Sequence, residues 1–220
     1  IKSVPHEKIV KNINPYLVEG NDLVIEKRAK SLCKVNPIKY GSIAIDNGFL
    51  ILNEDEKIDL INREPLSEKY IFTYGGGAEF IKNIKRYCLW LKDLNPNELK
   101  LMPIVKEKID SVRDFRFSSD REATKKLAEY PTLFGEDRQP KNNYILIPKV
   151  SSETRQYIPL GFLNKSHIAN GSSMIVENAT LFEFGILTSI MHIAWIKYTC
   201  GRMKSDYQYS NTIVYNNYPF

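Results

Sequence analysis

A chain of 220 residues, 43% hydrophobic and 26% charged, is long enough to bury a core of its own, which excludes a disordered segment. Its net charge of +5 permits a nucleic-acid partner but excludes a polycationic tail. Cys33, Cys88 and Cys200 are too scattered for a disulfide framework or a zinc site, so a reducing cytoplasm is expected.

The opening Ile1-Lys2-Ser3-Val4 has no apolar signal segment and no initiator methionine, as expected of a piece of a longer protein. Asp22–Lys27 reads as a short strand, and Phe49–Leu52 as a short apolar run. Asn53 then caps a predicted helix over Glu54–Arg63, whose acidic first turn suits the helix dipole and which Pro65 ends. Tyr70–Tyr74 is expected to be extended, leading into a flexible turn at Gly75-Gly76-Gly77, and Arg86–Leu91 is β-prone. Helical spacing of Ile104, Lys108, Ile109 and Val112 predicts a helix over Pro103–Phe115. A second helical piece is expected over Asp120–Glu129, with Ser119 as its cap and Pro131 after it. This block carries both charge signs, including Lys106, Arg113, Arg116, Arg121 and Lys125.

Beyond it, Asn143–Val150, Gln156–Leu163 and Ser172–Val176 read as strands broken by proline and glycine. One buried helix is predicted from Leu181 to Thr199, with Gly201 as its stop. Glu183, His192 and Lys197 interrupt it, so it is not the run of about 20 apolar residues that spans a membrane. Met203–Tyr215 suits one strand or a pair of short ones. The mixed order predicts an α+β fold of largely antiparallel sheet elements and several helices.

No reaction centre emerges, and the chain by itself is expected not to be an enzyme. Gly75-Gly76-Gly77 lacks the G-x-G-x-x-G spacing of a nucleotide turn. Asp55-Glu56-Lys57 has the letters of a metal nuclease but lies where a helix start favours acids. His6, His167 and His192 have no His or Cys at ligand spacing. His192 reads as a core histidine, and His167 as a loop residue able to approach phosphate. No nucleophile motif is present, and Asn216–Phe220 lacks the adjacent prolines of the amino-methyltransferase motif.

Several segments together are distinctive: PYLVEG at 15–20, KRYCLWL at 85–91, LFGEDRQP at 133–140, IPKVSSE at 147–153, MHIAW at 191–195, CGRMKSDY at 200–207 and YSNTIVYNNYP at 209–219. In this order they make the chain resemble the target-recognition domain of MmeI-like enzymes, single-chain type II (IIL/IIG) restriction–modification proteins. The resemblance implies a DNA-recognition domain over 16–220, with 1–15 as the linker from a preceding adenine-N6 methyltransferase domain. It further implies double-stranded DNA as partner and S-adenosylmethionine and Mg2+ as cofactors of the parent protein, held outside this chain. The parent would methylate adenine and could also carry an endonuclease. Family positions that read bases fall on Lys204 with Asp206, Ser172 with Gln208, and Lys149 with Gly171.

An extended Lys204–Gln208 would place Lys204, Asp206 and Gln208 on one side and Ser205, Tyr207 and Tyr209 on the other. Lysine donates to guanine O6 and N7 and aspartate accepts from cytosine N4, so Lys204 and Asp206 are expected to specify a G·C pair. The plainer reading is a solvated strand face with a Lys–Asp pair worth well under about 1 kcal/mol. Gln208 suits adenine N6 and N7. Lys149 would meet a base or a phosphate, and Arg138, Lys141, Arg155, Lys165 and Arg202 are phosphate candidates. Tyr207 and Tyr209 are expected to pack. The competing function is a protein-interaction or structural domain of a large enzyme that never touches bases.

Overall fold

The computed structural model describes residues 7–14, 17, 19–22 and 24–220. His6, most of the linker's first residues, and Pro15, Tyr16 and Val18 of the first distinctive segment lie outside them, as does Leu23 of the predicted strand. The described remainder of 22–27 forms no strand.

Among the described residues the strands form three sheets, and the fold is α+β. In the first, β1 (Ile38–Tyr40), β9 (Ser173–Glu177), β5 (Tyr144–Pro148) and β7 (Gly161–Leu163) lie side by side, all antiparallel. β5 is buried along its whole length because both faces are covered. Ile145 and Ile147 enter the larger core, while Tyr144 and Leu146 pack on the other side with Ala169 and Ile175. That explains a near-continuous apolar run where a one-sided strand would alternate. The second sheet orders β2 (Ile51–Leu52), β4 (Tyr87–Leu89), β3 (Ile71–Gly75) and β8 (His167–Ala169), with β3 and β8 parallel. The third joins β10 (Gly201–Met203), β11 (Asp206–Gln208) and β6 (Val150–Ser151).

Helix α1 (Glu54–Arg63) closes with a reciprocal capping box: Glu56 N donates to Asn53 Oδ1 and Asn53 N to Glu56 Oε2. A 3-10 turn over Pro65–Tyr70 follows, and the short α2 (Gly77–Lys82) starts directly after β3. After α3 (Pro96–Leu99), α4 runs Pro103–Phe117, two residues beyond its predicted end. The buried Glu64 carboxylate accepts from Ile104 N and Val105 N at its start, which supplies the missing cap. Leu60, Val105, Ile109 and Val112 pack under the second sheet with Leu50, Leu52 and Cys88.

The helical piece after Ser119 is shorter than expected: α5 covers Glu122–Lys126 and a 3-10 turn Leu127–Glu129. Ser119 Oγ accepts from Arg121 N, ordering the turn before α5 rather than capping it. Arg116, one of the charged-block residues, is fully buried in α4. Its guanidinium donates to the carbonyl oxygens of Ala44, Ile45, Leu127, Tyr130 and Leu133, using all five N–H groups. Two of those carbonyls belong to a loop in which Ile45 holds a positive φ of 50°, a costly conformation for a β-branched residue.

The predicted single helix over Leu181–Thr199 is two. α6 (Leu181–Leu187) is capped by Thr180 and Glu183, and α7 (Ile190–Thr199) starts afresh at Ser189, whose Oγ accepts from His192 N. Two hydroxyl residues, Thr188 and Ser189, break the ladder. α7 is buried on one side only, since Ile190, Met191 and Tyr198 are exposed. After β11 a wide helical turn, Asn211–Tyr215, brings the tail back to the core. There Asn217 Nδ2 donates to Glu26 O, Thr212 O and Ile213 O, and its Oδ1 accepts from Arg28 Nε. The tail asparagines thus tie down the residues around Arg28; Asn216 adds a bond to Arg28 O.

Candidate nucleic-acid interface

The chain running through β5 changes sheets at Lys149. Its N–H donates to Ser172 O at the start of β9 (3.1 Å) and its carbonyl accepts from Tyr209 N after β11 (2.8 Å). Three segments far apart in sequence, 149–150, 171–172 and 201–208, therefore meet at one end of the first sheet. Gly77, Ala78 and Ile81 of α2 form the facing wall of a groove of about 470 Å³ whose floor and rim include Lys149, Gly171, Ser172 and Met203.

The hairpin β10–β11 differs from the expected extended run. Met203 pairs with Asp206, so Lys204 and Ser205 are a two-residue loop, and Lys204 holds a φ of 57°. The expected row of Lys204, Asp206 and Gln208 on one strand face is therefore corrected. Lys204 caps the tip, while Asp206 and Gln208 share a face with their opposite residues Met203, Gly201 and Val150. Tyr207 points the other way into the core, as Tyr209 does beyond it; both are buried. Tyr209 Oη lies 3.1 Å from His192 Nε2.

Lys204, Asp206 and Gln208 make no side-chain hydrogen bond or ion pair among the described residues, and Lys204 and Asp206 do not pair with each other. Arg202 lies on the opposite face. Its guanidinium stacks 4.1 Å from the Tyr207 ring centroid and donates to Ser205 O, so it braces the hairpin. Lys149 Nζ sits 5.5 Å from the Tyr40 ring centroid. Gly171 is set by space: a Cβ there would meet Ile43 Cγ1 at 2.9 Å. Ser172 is exposed, and both its N–H and its hydroxyl are bonded to Asn170 Oδ1.

The phosphate candidates separate. Arg155 is exposed in the turn after β6, and Ser151 lies opposite Tyr207, so Arg155 leaves from the tip end of the hairpin. Arg138 is ion-paired with Glu136 and donates to Gly41 O. Lys141 and Lys165 are exposed but lie at the far end of β5, where Tyr144 pairs with Leu163 and Glu177. They are not brought to the groove. His167 is in β8, not a polar loop. Its Nε2 is buried without a partner among the described residues, and burial first of all lowers its pKa. A phosphate contact from this ring is corrected on that ground.

Other chemistry is tightly shut. Burial pushes the Cys200 thiol up to about 12 and Cys88 higher still, so neither is a nucleophile. The glycine triplet does stand between a strand and a helix, the setting of a cofactor turn. A Cβ on Gly76, however, would lie 2.0 Å from Asn170 Oδ1 and 2.3 Å from Ser172 Oγ. That space is filled by protein, so the turn is close-packed rather than flexible and does not fit a nucleotide-like cofactor. No group of three His, Cys, Asp or Glu suited to a metal occurs among the described residues, and no helix among them is long and apolar enough to cross a membrane.

Asn170 and Glu79 are the residues beside the groove that sequence reasoning did not single out. The available signal was Asn170-Gly171-Ser172, an asparagine placed to bond the backbone two residues on.

The family model described as MmeI, target recognition domain, matches residues 19–220. A DNA methyltransferase A from Bacillus subtilis (strain 168) is 35% identical over 213 residues, covering 97% of this chain and 24% of that protein. A solved structure of a type IIL restriction-modification enzyme, MmeI, in complex with DNA superposes with a TM-score of 0.93 at 38% identity, over 98% of this chain and 29% of that one. The chain thus spans only 24% and 29% of the length of these two relatives.

Proposed function

The chain belongs to the family of MmeI target recognition domains, and on that premise we propose that it selects the base sequence on which a larger DNA-modifying protein acts. The observation that carries the reading is the set of outward polar side chains on the groove and hairpin, Ser172, Lys204, Asp206 and Gln208, three of which have no partner inside the described protein. Polar groups left with free donors and acceptors on one rim are what base-edge readout requires. The similarity to a DNA-bound enzyme supports duplex DNA as the partner.

Within this proposal the hairpin enters the major groove. Lys204 at the tip donates to guanine, and Asp206 accepts from the cytosine N4 of the same pair. Gln208, Lys149 and the Gly171–Ser172 segment read neighbouring pairs. Arg155 and the exposed edge of Arg202 contact phosphates. Lys141 and Lys165 serve as phosphate contacts only if the duplex extends along the whole sheet edge. Residues 1–15 join this domain to a methyltransferase domain of the same polypeptide. S-adenosylmethionine supplies the methyl group there, and Mg2+ serves any endonuclease activity. The residues of this chain only position the DNA, whose target adenine is flipped out for modification.

Selection of duplexes from a randomised pool tests the proposal, with a Lys204→Asp, Asp206→Lys double variant beside the wild type. A fixed G·C pair that changes in the variant, with all other positions kept, is expected. The wrong pair should cost about 1–3 kcal/mol. Binding without any enriched motif would sink it in favour of a domain that grips backbone alone.

A further inference from the structure

Ser172 stands on the rim with its side chain exposed, yet its hydroxyl proton is not free. The arrangement begins at Glu79, whose Oε1 accepts from Arg86 Nη1 at 3.2 Å and whose Oε2 accepts from Gly76 N at 2.9 Å. An ion-paired carboxylate offers only lone pairs. Asn170 Nδ2 faces it, 3.5 Å from Oε2. The other side of that amide, Oδ1, therefore faces Ser172, and a second bond fixes the same orientation: Ser172 N–H donates to Oδ1 at 2.9 Å. An amide NH2 in that place would set two donors against each other.

Ser172 Oγ lies 2.6 Å from this same Oδ1. Because Oδ1 carries no proton, the hydroxyl must donate there, and only its lone pairs remain for a ligand. The device is held rigidly. Asn170 N donates to Gly75 O, and Asn170 O accepts from Ser173 N and Ser173 Oγ. Gly76 passes directly beneath, where no side chain fits.

We infer that Asn170, oriented by Glu79, is a positioning residue that fixes Ser172 as a hydrogen-bond acceptor toward DNA, so that the base it faces presents an exocyclic amine, adenine N6 or cytosine N4. A freely rotating serine donates or accepts and so tolerates either kind of base edge. With its proton committed, Ser172 rejects guanine O6 and thymine O4, because two acceptors would face each other. The inference rests on base reading by Ser172.

The test selects randomised duplexes with the full-length protein carrying this domain, as wild type and as S172A, N170A and an N170D, E79Q double variant, with the melting temperature of each. The wild type is expected to fix adenine or cytosine at one position that S172A flattens. N170A frees the hydroxyl and should weaken that preference about tenfold by admitting guanine or thymine. N170D, made together with E79Q so that an amide rather than a second carboxylate faces the introduced carboxylate, keeps an acceptor oxygen against Ser172 and should retain the preference; if it does not fold, N170A against S172A decides. A uniform loss of affinity in N170A, with the base preference intact, would make Asn170 merely structural and overturn the inference. A position that responds to S172A but prefers guanine or thymine would also overturn it, leaving base reading by Ser172 standing. If S172A changes no position, base reading by Ser172 falls and the inference falls with it.

Discussion

Replacing Arg116 by methionine removes a charge and five donors from the interior while keeping much of the apolar stem. Three of the five carbonyls keep a backbone partner: Ala44 O accepts from Gly135 N, Leu127 O from Tyr130 N and Tyr130 O from Leu133 N. Ile45 O and Leu133 O have Arg116 as their hydrogen-bond donor in the described structure and lose it. Each carbonyl left unpaired in the interior costs about 1–3 kcal/mol, and relief of the guanidinium's own desolvation offsets part of the loss. A net destabilisation of about 3 kcal/mol follows. For a domain of this size that is a fall of roughly 6–12 °C in Tm. Arg116→Lys should recover less than half, since an ammonium has three donors and no planar fork. Thermal unfolding followed by circular dichroism measures both. An R116M protein melting within about 2 °C of wild type would refute the claim that the guanidinium holds the strained 44–48 loop.

Two further outcomes are expected. Burial depresses the His192 pKa to about 4, below its ordinary value near 6.5, so the neutral ring contributes stability above pH 6.5 that is lost as pH falls through 4. The limit of that contribution is about 3 kcal/mol. Urea midpoints should drop between pH 6.5 and 4 in wild type and less steeply in His192→Gln; parallel pH profiles would refute the assignment. Asn217→Ala removes the bonds to Glu26 O and Arg28 Nε, so the amides of Arg28 and Leu32, which donate to Thr212 O and Asn216 O, should exchange with deuterium at least tenfold faster. Unchanged exchange there would show that the tail asparagines do not hold this segment.

Local signals were legible where one residue's chemistry settles the backbone. Asn53, Glu56 and Pro65 mark α1 from both ends, and the apolar run 144–147 marks β5. The break between α6 and α7 is hidden because apolar composition resumes directly after Thr188 and Ser189, and only the Thr180–Glu183 and Ser189 caps betray two starts. β8 was missed since His167–Ala169 is three residues among turn formers and is ordered by parallel pairing to a strand some ninety positions earlier. The hairpin tip was misread because two-residue loops usually announce themselves with Gly or Asn, and here lysine takes the left-handed position. At the interface, alignment supplied candidates but not their grouping. The bend at Lys149 draws 149, 171–172 and 206–208 together and leaves Lys141 and Lys165 at the other end. Arg116 looked like any member of a charged block, and nothing local reveals that five carbonyls surround it.

The lack of internal partners for Lys204, Asp206 and Gln208 has an evolutionary consequence. Positions of that kind with ordinary backbone angles usually change folding free energy by no more than about 0.5 kcal/mol when substituted, so at Asp206 and Gln208 a lineage can try new residues without approaching its stability threshold, while the left-handed φ of Lys204 narrows the choice there. Ser172 is different, because its proton and backbone are wired to Asn170 and, through it, to Glu79. Asp206 and Gln208 on β11 can drift one residue at a time, whereas a new preference at Ser172 calls for coordinated change in several residues, making that position the slow one in the divergence of target choice.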